Sequence, residues 1–134
     1  MAAEGLTTLR SSYGPKDTVG RLEAAITARG LTVFARIDHA AGAAAVGLKM
    51  RPAEVLLFGN AKGGTPLMQS VASVAIDLPL KALVWEDASG DTWLSYNDPS
   101  WLAKRHELGH EVDAPLNAMT NLLAAVARAA TAPS

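Results

Sequence analysis

The sequence contains no cysteine, which removes disulfide staples, thiolate metal ligands and a cysteine nucleophile, and fits a reducing compartment. An excess of one charge is lacking too. Its 12 Lys and Arg against 13 Asp and Glu leave a formal net charge of -1, without the surplus basicity that nucleic-acid binders set against phosphate. No apolar run approaches the roughly 20 residues a membrane-spanning helix needs, and Met1-Ala2-Ala3-Glu4-Gly5 carries neither the basic nor the apolar region of a secretion signal. The expectation is a cytoplasmic chain with no nucleic-acid and no membrane partner. Aromatics are scarce at 5%, so Trp85, Trp93 and Trp101 are read as core or interface packing before they are read as a stacking platform.

What is present is a globular composition, 49% hydrophobic and 19% charged over 134 residues. A chain of this length buries roughly two-thirds of its unfolded surface, enough for a core without staples. No internal repeat interrupts it, and residues 1–134 are expected to form a single domain.

Periodicity and punctuation divide the chain. Leu6 to Ser12 alternates weakly and is followed by a helix from Lys16 or Asp17, with Val19, Leu22 and Ile26 on one face and Gly30 as its stop. Leu31 to Ile37 is rich in strand formers, and Asp38 is placed to cap a short alanine-rich helix from His39 to Val46. The continuous run Val55-Leu56-Leu57-Phe58 reads as a strand buried on both faces. Thr65-Pro66, a capping hydroxyl before a proline, predicts a helix start, with Leu67, Met68, Val71 and Val74 following. Leu80 to Glu86 and Thr92 to Tyr96 flank Asp87-Ala88-Ser89-Gly90-Asp91, a hairpin. Asp98-Pro99 opens a helix through Trp101, Leu102 and His106, and Pro115 opens an amphipathic helix over 115–130. Because the hairpin makes the sheet at least partly antiparallel, an α+β two-layer sandwich is expected in place of a doubly wound parallel sheet.

Ile37-Asp38-His39, Phe58-Gly59-Asn60, Lys62, Gly64-Thr65-Pro66-Leu67-Met68, Asp77-Leu78-Pro79-Leu80-Lys81, Val84-Trp85-Glu86-Asp87 and Tyr96-Asn97-Asp98-Pro99 occur in this order. Together they resemble the family called domain of unknown function 302, over residues 5–108, with Ala61 standing where a proline is expected. The resemblance implies a curved, mostly antiparallel sheet of about five strands with helices on one face, broadly like the TATA-binding protein, and a homodimer. It implies no established activity, and a likeness of fold to a DNA-binding protein does not transfer function.

Three constellations could carry chemistry. The first is Gly59-Asn60-Ala61-Lys62-Gly63-Gly64-Thr65-Pro66, where a strand enters a helix N-terminus. Backbone donors, the helix dipole and Lys62 suit an anion there, although Lys62 precedes Gly63 and Gly64, so the order is not that of a P-loop. The plainer reading is a tight turn with Thr65 as cap. The second is His106-Glu107-Leu108-Gly109-His110, which matches H-E-x-x-H, two zinc-binding histidines and a glutamate base. Against it stand the want of an obvious third ligand, Asp113 and Leu116 where the extended pattern has glycine and histidine, and Gly109 with Pro115, which suggest that the helix is ending. The third is a polar set at strand ends, Asp38, His39, Glu86, Asp87, Tyr96, Asn97 and Asp98, which equally reads as caps and turns.

The leading functional expectation is a homodimeric domain that binds a small polar or anionic ligand, with Lys62 supplying charge, Gly64 and Thr65 backbone donors, and His39 with Asn97 orientation. No cofactor is called for. The alternatives are a zinc-dependent hydrolase using His106, His110 and Glu107, and a purely structural or interaction module.

Overall fold

A computed structural model describes residues 3–134. Five strands form one sheet in the order β1-β5-β4-β3-β2: β1 (Leu6–Arg10), β2 (Thr32–Asp38), β3 (Ala53–Gly59), β4 (Leu80–Glu86) and β5 (Thr92–Asn97). All four neighbouring pairs are antiparallel, so this is an α+β fold with a wholly antiparallel sheet. The helices are α1 (Pro15–Ala28), α2 (His39–Ala45), α3 (Ala61–Ser70), α4 (Pro99–Arg105) and α5 (Asp113–Thr131), with 3₁₀ turns at Ala72–Asp77 and His110–Val112.

The core forms where alternate strand residues meet helical stripes. Leu56 and Phe58 of β3, Leu80, Ala82 and Val84 of β4, and Leu94 of β5 are buried, because successive strand side chains point to opposite faces. Val19, Leu22 and Ile26 of α1 and Met119, Leu123, Val126 and Ala130 of α5 close over them. Burying a side chain of this size contributes about 1.5–3 kcal/mol. The other sheet face keeps Val55, Leu57, Leu83, Trp85 and Trp93 half-buried. β3 is therefore not buried on both faces: its apolar run reflects one face against the helices and one under neighbouring side chains.

Some helix boundaries differ from expectation. Helix α3 begins at Ala61, not at Thr65, because Asn60 Oδ1 accepts from the Gly63 N–H at 2.7 Å and caps it a turn earlier. Pro66 lies inside the helix as a result. The helix also stops at Ser70, and Val74 belongs to the following 3₁₀ turn, where it is buried. Helix α5 opens at Asp113, two residues before the expected Pro115, while Asp38 caps α2 through the Ala41 N–H at 2.9 Å, and Gly30 and Gly90 take left-handed backbones after α1 and in the β4–β5 turn. Asp98 precedes α4 without capping it by its side chain, which accepts a hydrogen bond from Thr7 on β1.

Candidate functional site

At the C-terminal end of β3 the helical layer does not close. A pocket of about 310 Å³ opens there, lined by Phe34 and Phe58 from the sheet, Asn60 and Gly64 at the start of α3, and Leu78 and Met119 across from them. Among its lining side chains Asn60 alone carries a polar group, and Asn60 is already committed to the α3 cap. Gly64 lies against the pocket, where a Cβ would meet Leu78 Cδ1 at 3.4 Å and Met68 Cε at 3.7 Å in ordinary van der Waals contact, so a longer side chain there would enter the cavity.

The structure separates the residues expected to share a ligand. Gly64 lines the pocket. Lys62 is exposed at the second position of α3, and Thr65 is an interior residue of the same helix. The Gly64 N–H is directed at the Asn60 carbonyl at 3.3 Å, so its donor is used within the helix. Asn97 lies on the other sheet face, in a separate concavity with Lys81 and Trp85. His39 follows the far end of β2, where Asp38 pairs with Glu54, about 20 Å along β3 from Asn60 at 3.3 Å per residue.

The polar set at strand ends is largely committed to structure. Near His39, Asp17, Asp38, Glu54 and Glu86 line a broad concavity, but Glu54 pairs with Arg36 at 2.8 Å and Glu86 with Arg51 at 3.1 Å. Asp87 is fixed in the β4–β5 turn, where its carboxylate accepts from the backbone N–H groups of Ser89 and Asp91. Tyr96 is buried, which pushes its phenol above the usual range.

The family model for "Domain of unknown function DUF302" matches residues 7–126. The chain belongs to this family. The crystal structure of an uncharacterised DUF302 protein from Bacillus stearothermophilus superposes with a TM-score of 0.83 at 21% identity, covering 96% of this chain and 99% of that one, a likeness of fold. Two proteins named fluoride-specific ion channel FluC 1, from Brucella suis and Brucella abortus, are 46% identical over 115 residues. The match covers 86% of this chain but 45% and 43% of theirs, so the DUF302 chain spans less than half the length of these relatives. No helix among its described residues is long and apolar enough to cross a membrane.

In this DUF302 domain the H-E-x-x-H residues do not share a helical face. Helix α4 ends at Arg105, Glu107 turns the chain through a left-handed backbone with φ 52°, and His110 begins a separate 3₁₀ turn. His110 is fully solvent-exposed and faces Asp113 at 3.1 Å. His106 instead folds inward with both ring nitrogens engaged: Nε2 lies 2.5 Å from Asp77 Oδ2 and Nδ1 lies 2.8 Å from Ser73 Oγ. Arg105 reaches the same carboxylate at 2.9 and 3.0 Å. Among the described residues no group of three or more His, Cys, Asp and Glu is arranged to hold a metal ion. Sequence reasoning singled out His106 but not Ser73 or Asp77, which stand 33 and 29 positions away. The one signal for Asp77 was its place in the Asp77-Leu78-Pro79 motif.

Proposed function

We propose that this DUF302 domain is a homodimeric binding module for a small, largely apolar molecule with one polar or anionic end. The observation that carries the reading is the pocket beside the α3 N-terminus, whose walls are apolar except at Asn60. Sites of this kind take most of their affinity from buried apolar area and their orientation from a few polar groups. The N–H groups of Ala61 and Lys62 open α3 and have no partner within the helix, and the exposed Lys62 beside them adds positive charge, so a carboxylate or similar terminus fits that end. Gly64 remains part of the proposed site as a wall, while His39 and Asn97 play no part in it.

Self-association is supported by where apolar side chains meet solvent. Phe34, Ile37, Val46, Leu48 and Met50 are exposed along the β2 edge and the α2 arm, and α2 has no buried residue of its own. A second copy covering this tract would remove apolar surface of a kind monomers rarely display. A cytoplasmic location belongs to the same proposal. The channel name of the Brucella relatives supplies no reason to assign conduction to a chain that matches less than half of them.

The test is a thermal-shift screen of short and medium-chain carboxylates and aromatic acids. A compound present at 100 times its Kd is expected to add about 2.7 kcal/mol of stability, and Gly64→Leu, which fills the pocket, is expected to abolish the shift while the protein stays folded. The absence of any shift favours the interaction-module reading, and a shift that survives Gly64→Leu puts the ligand outside this pocket and overturns the proposed site. Light scattering on the native protein and on Leu48→Asp reads the dimer: a wild-type monomer overturns that part of the proposal.

A further inference from the structure

We propose that Ser73, His106 and Asp77 form a nucleophilic relay that cleaves small acyl esters, at a site separate from the ligand pocket. The arrangement begins with Asp77. Its carboxylate is held by Arg105 at 2.9 and 3.0 Å and accepts from the imidazole of His106 at 2.5 Å. A carboxylate can only accept, so in the neutral imidazole the bond to Asp77 assigns the ring proton to Nε2 and makes Nδ1 the acceptor. Ser73 Oγ lies 2.8 Å from that acceptor nitrogen, the position from which a hydroxyl donates its proton to a base. Nucleophile, base and orienting acid thus stand in hydrogen-bonded sequence, the geometry by which serine hydrolases are recognised irrespective of fold or chain order. Here the two ring nitrogens have exchanged roles, which leaves the acid-base chemistry unaltered because either imidazole nitrogen can act as base.

Burial follows the same gradient. The side chains of His106 and Asp77 are 7% and 13% exposed, whereas Ser73 is a surface residue. A shielded base and orienting group behind an accessible nucleophile let a substrate reach the hydroxyl without opening the relay to water. Ile76 is 73% exposed and lies three residues after Ser73 on the same 3₁₀ turn, where side chains at i and i+3 eclipse. An exposed isoleucine on the same face of the turn gives a short acyl group an apolar surface, so short acyl esters are the substrate class proposed. The backbone also fixes the base. His106 ends α4, and Glu107, the sole non-glycine residue with positive φ among those described, turns the chain away immediately after it.

The reaction balances without a cofactor. Ser73 Oγ bonds to the ester carbonyl carbon while its proton passes to His106 Nδ1. The carbon–alkoxide bond then breaks, and the proton leaves on the alkoxide as alcohol. Water next attacks the acyl carbon, giving its proton to Nδ1. The carbon–Oγ bond breaks, the acid departs and the proton returns to Ser73. Asp77 is a positioning residue that holds the tautomer and faces the imidazolium formed in each half-reaction, and Arg105 holds Asp77.

The experiment treats full-length protein with a fluorophosphonate, in which Ser73 Oγ displaces fluoride from phosphorus, and follows hydrolysis of p-nitrophenyl butyrate. The expected result is one adduct per chain, mapped to Ser73 by peptide mass spectrometry. Hydrolysis is expected to fall by about 10²–10⁴-fold in Ser73→Ala and in His106→Gln. Asp77→Asn is expected to lower kcat per fluorophosphonate-titrated site with KM unchanged; the titration counts only competent chains, so loss of folded protein does not enter the value. Ser73→Ala removes one exposed hydroxyl and leaves the melting temperature near wild type, so it decides the matter even where the His106 variant fails to fold. Hydrolysis retained in Ser73→Ala, an adduct mapped elsewhere, or labelling at an unchanged rate in folded His106→Gln overturns the proposal and leaves the cluster as a tie between the 3₁₀ turn and α4. Labelling that persists in Gly64→Leu separates this site from the ligand pocket.

Discussion

The indole N–H of Trp93 donates to Asp87 Oδ2 at 2.8 Å, tying the second strand of the hairpin to the turn that precedes it. The same carboxylate accepts from the backbone N–H groups of Ser89 and Asp91 at 2.9 and 3.0 Å. With the indole bond foremost, these donors hold Asp87 below the ordinary aspartate range, and the Ser70 hydroxyl does the same for Glu111. A carboxyl whose folded pKa is depressed binds fewer protons than in the unfolded chain. Its contribution is present above the unfolded value near 4 and is lost as pH falls through the folded value. Thermal stability is therefore expected to drop below about pH 4, with a shallower acid slope in Asp87→Asn and in Ser70→Ala, measured as melting temperature against pH.

Gly5 adopts φ +74°, and a Cβ on it would stand 2.2 Å from Trp101 Cγ. Its carbonyl also accepts from the Asp98 N–H at 2.8 Å, which fixes the backbone against α4. Gly5→Ala combines left-handed strain with overpacking and is expected to cost roughly 2–5 kcal/mol, measured by urea denaturation. A loss under about 0.5 kcal/mol, the size of a neutral surface change, would show that β1 can shift freely past Trp101.

Local chemistry explains which parts of the fold were legible. The β4–β5 hairpin announces itself through Asp87 and Gly90, and α1 and α5 through apolar stripes that need no distant partner to be seen. Thr65-Pro66 reads as the start of α3, but the folded backbone starts the helix at Ala61, because Asn60 Oδ1 reaches the Gly63 N–H a turn earlier. The pocket depends on Leu78 and Met119 meeting Phe58 across the fold, which no periodicity encodes. His106 stood out for a motif it does not serve, since its partners come from a turn 33 and 29 positions away.

Asn60→Ala removes the acceptor that closes the first turn of α3 at 2.7 Å. Loss of such a cap costs about 1 kcal/mol, so a modest fall in stability is expected in chemical denaturation, with the sheet intact by circular dichroism. Gly63 offers a control: a Cβ there would meet Asn60 Oδ1 at 3.3 Å, so Gly63→Ala is expected to lose part of its helix-propensity gain in the wild type and recover it in the Asn60→Ala background.

On the alkaline side Tyr96 contributes through burial. It is 9% exposed at the end of β5, and burial, which penalises the charged phenolate, raises its pKa above the usual 10. The folded chain then holds a proton that the unfolded chain releases. This stabilisation is complete below the unfolded pKa near 10 and declines as pH rises through the folded value. Tyr96→Phe keeps the ring and removes the ionisable oxygen, so the fall in melting temperature above pH 10 is expected to flatten. Ultraviolet titration at 295 nm, taken as the difference between wild type and Tyr96→Phe because Tyr13 also ionises, isolates the phenol: a Tyr96 that ionises at its ordinary value in the folded protein would place the hydroxyl in water and leave the alkaline slope to other groups.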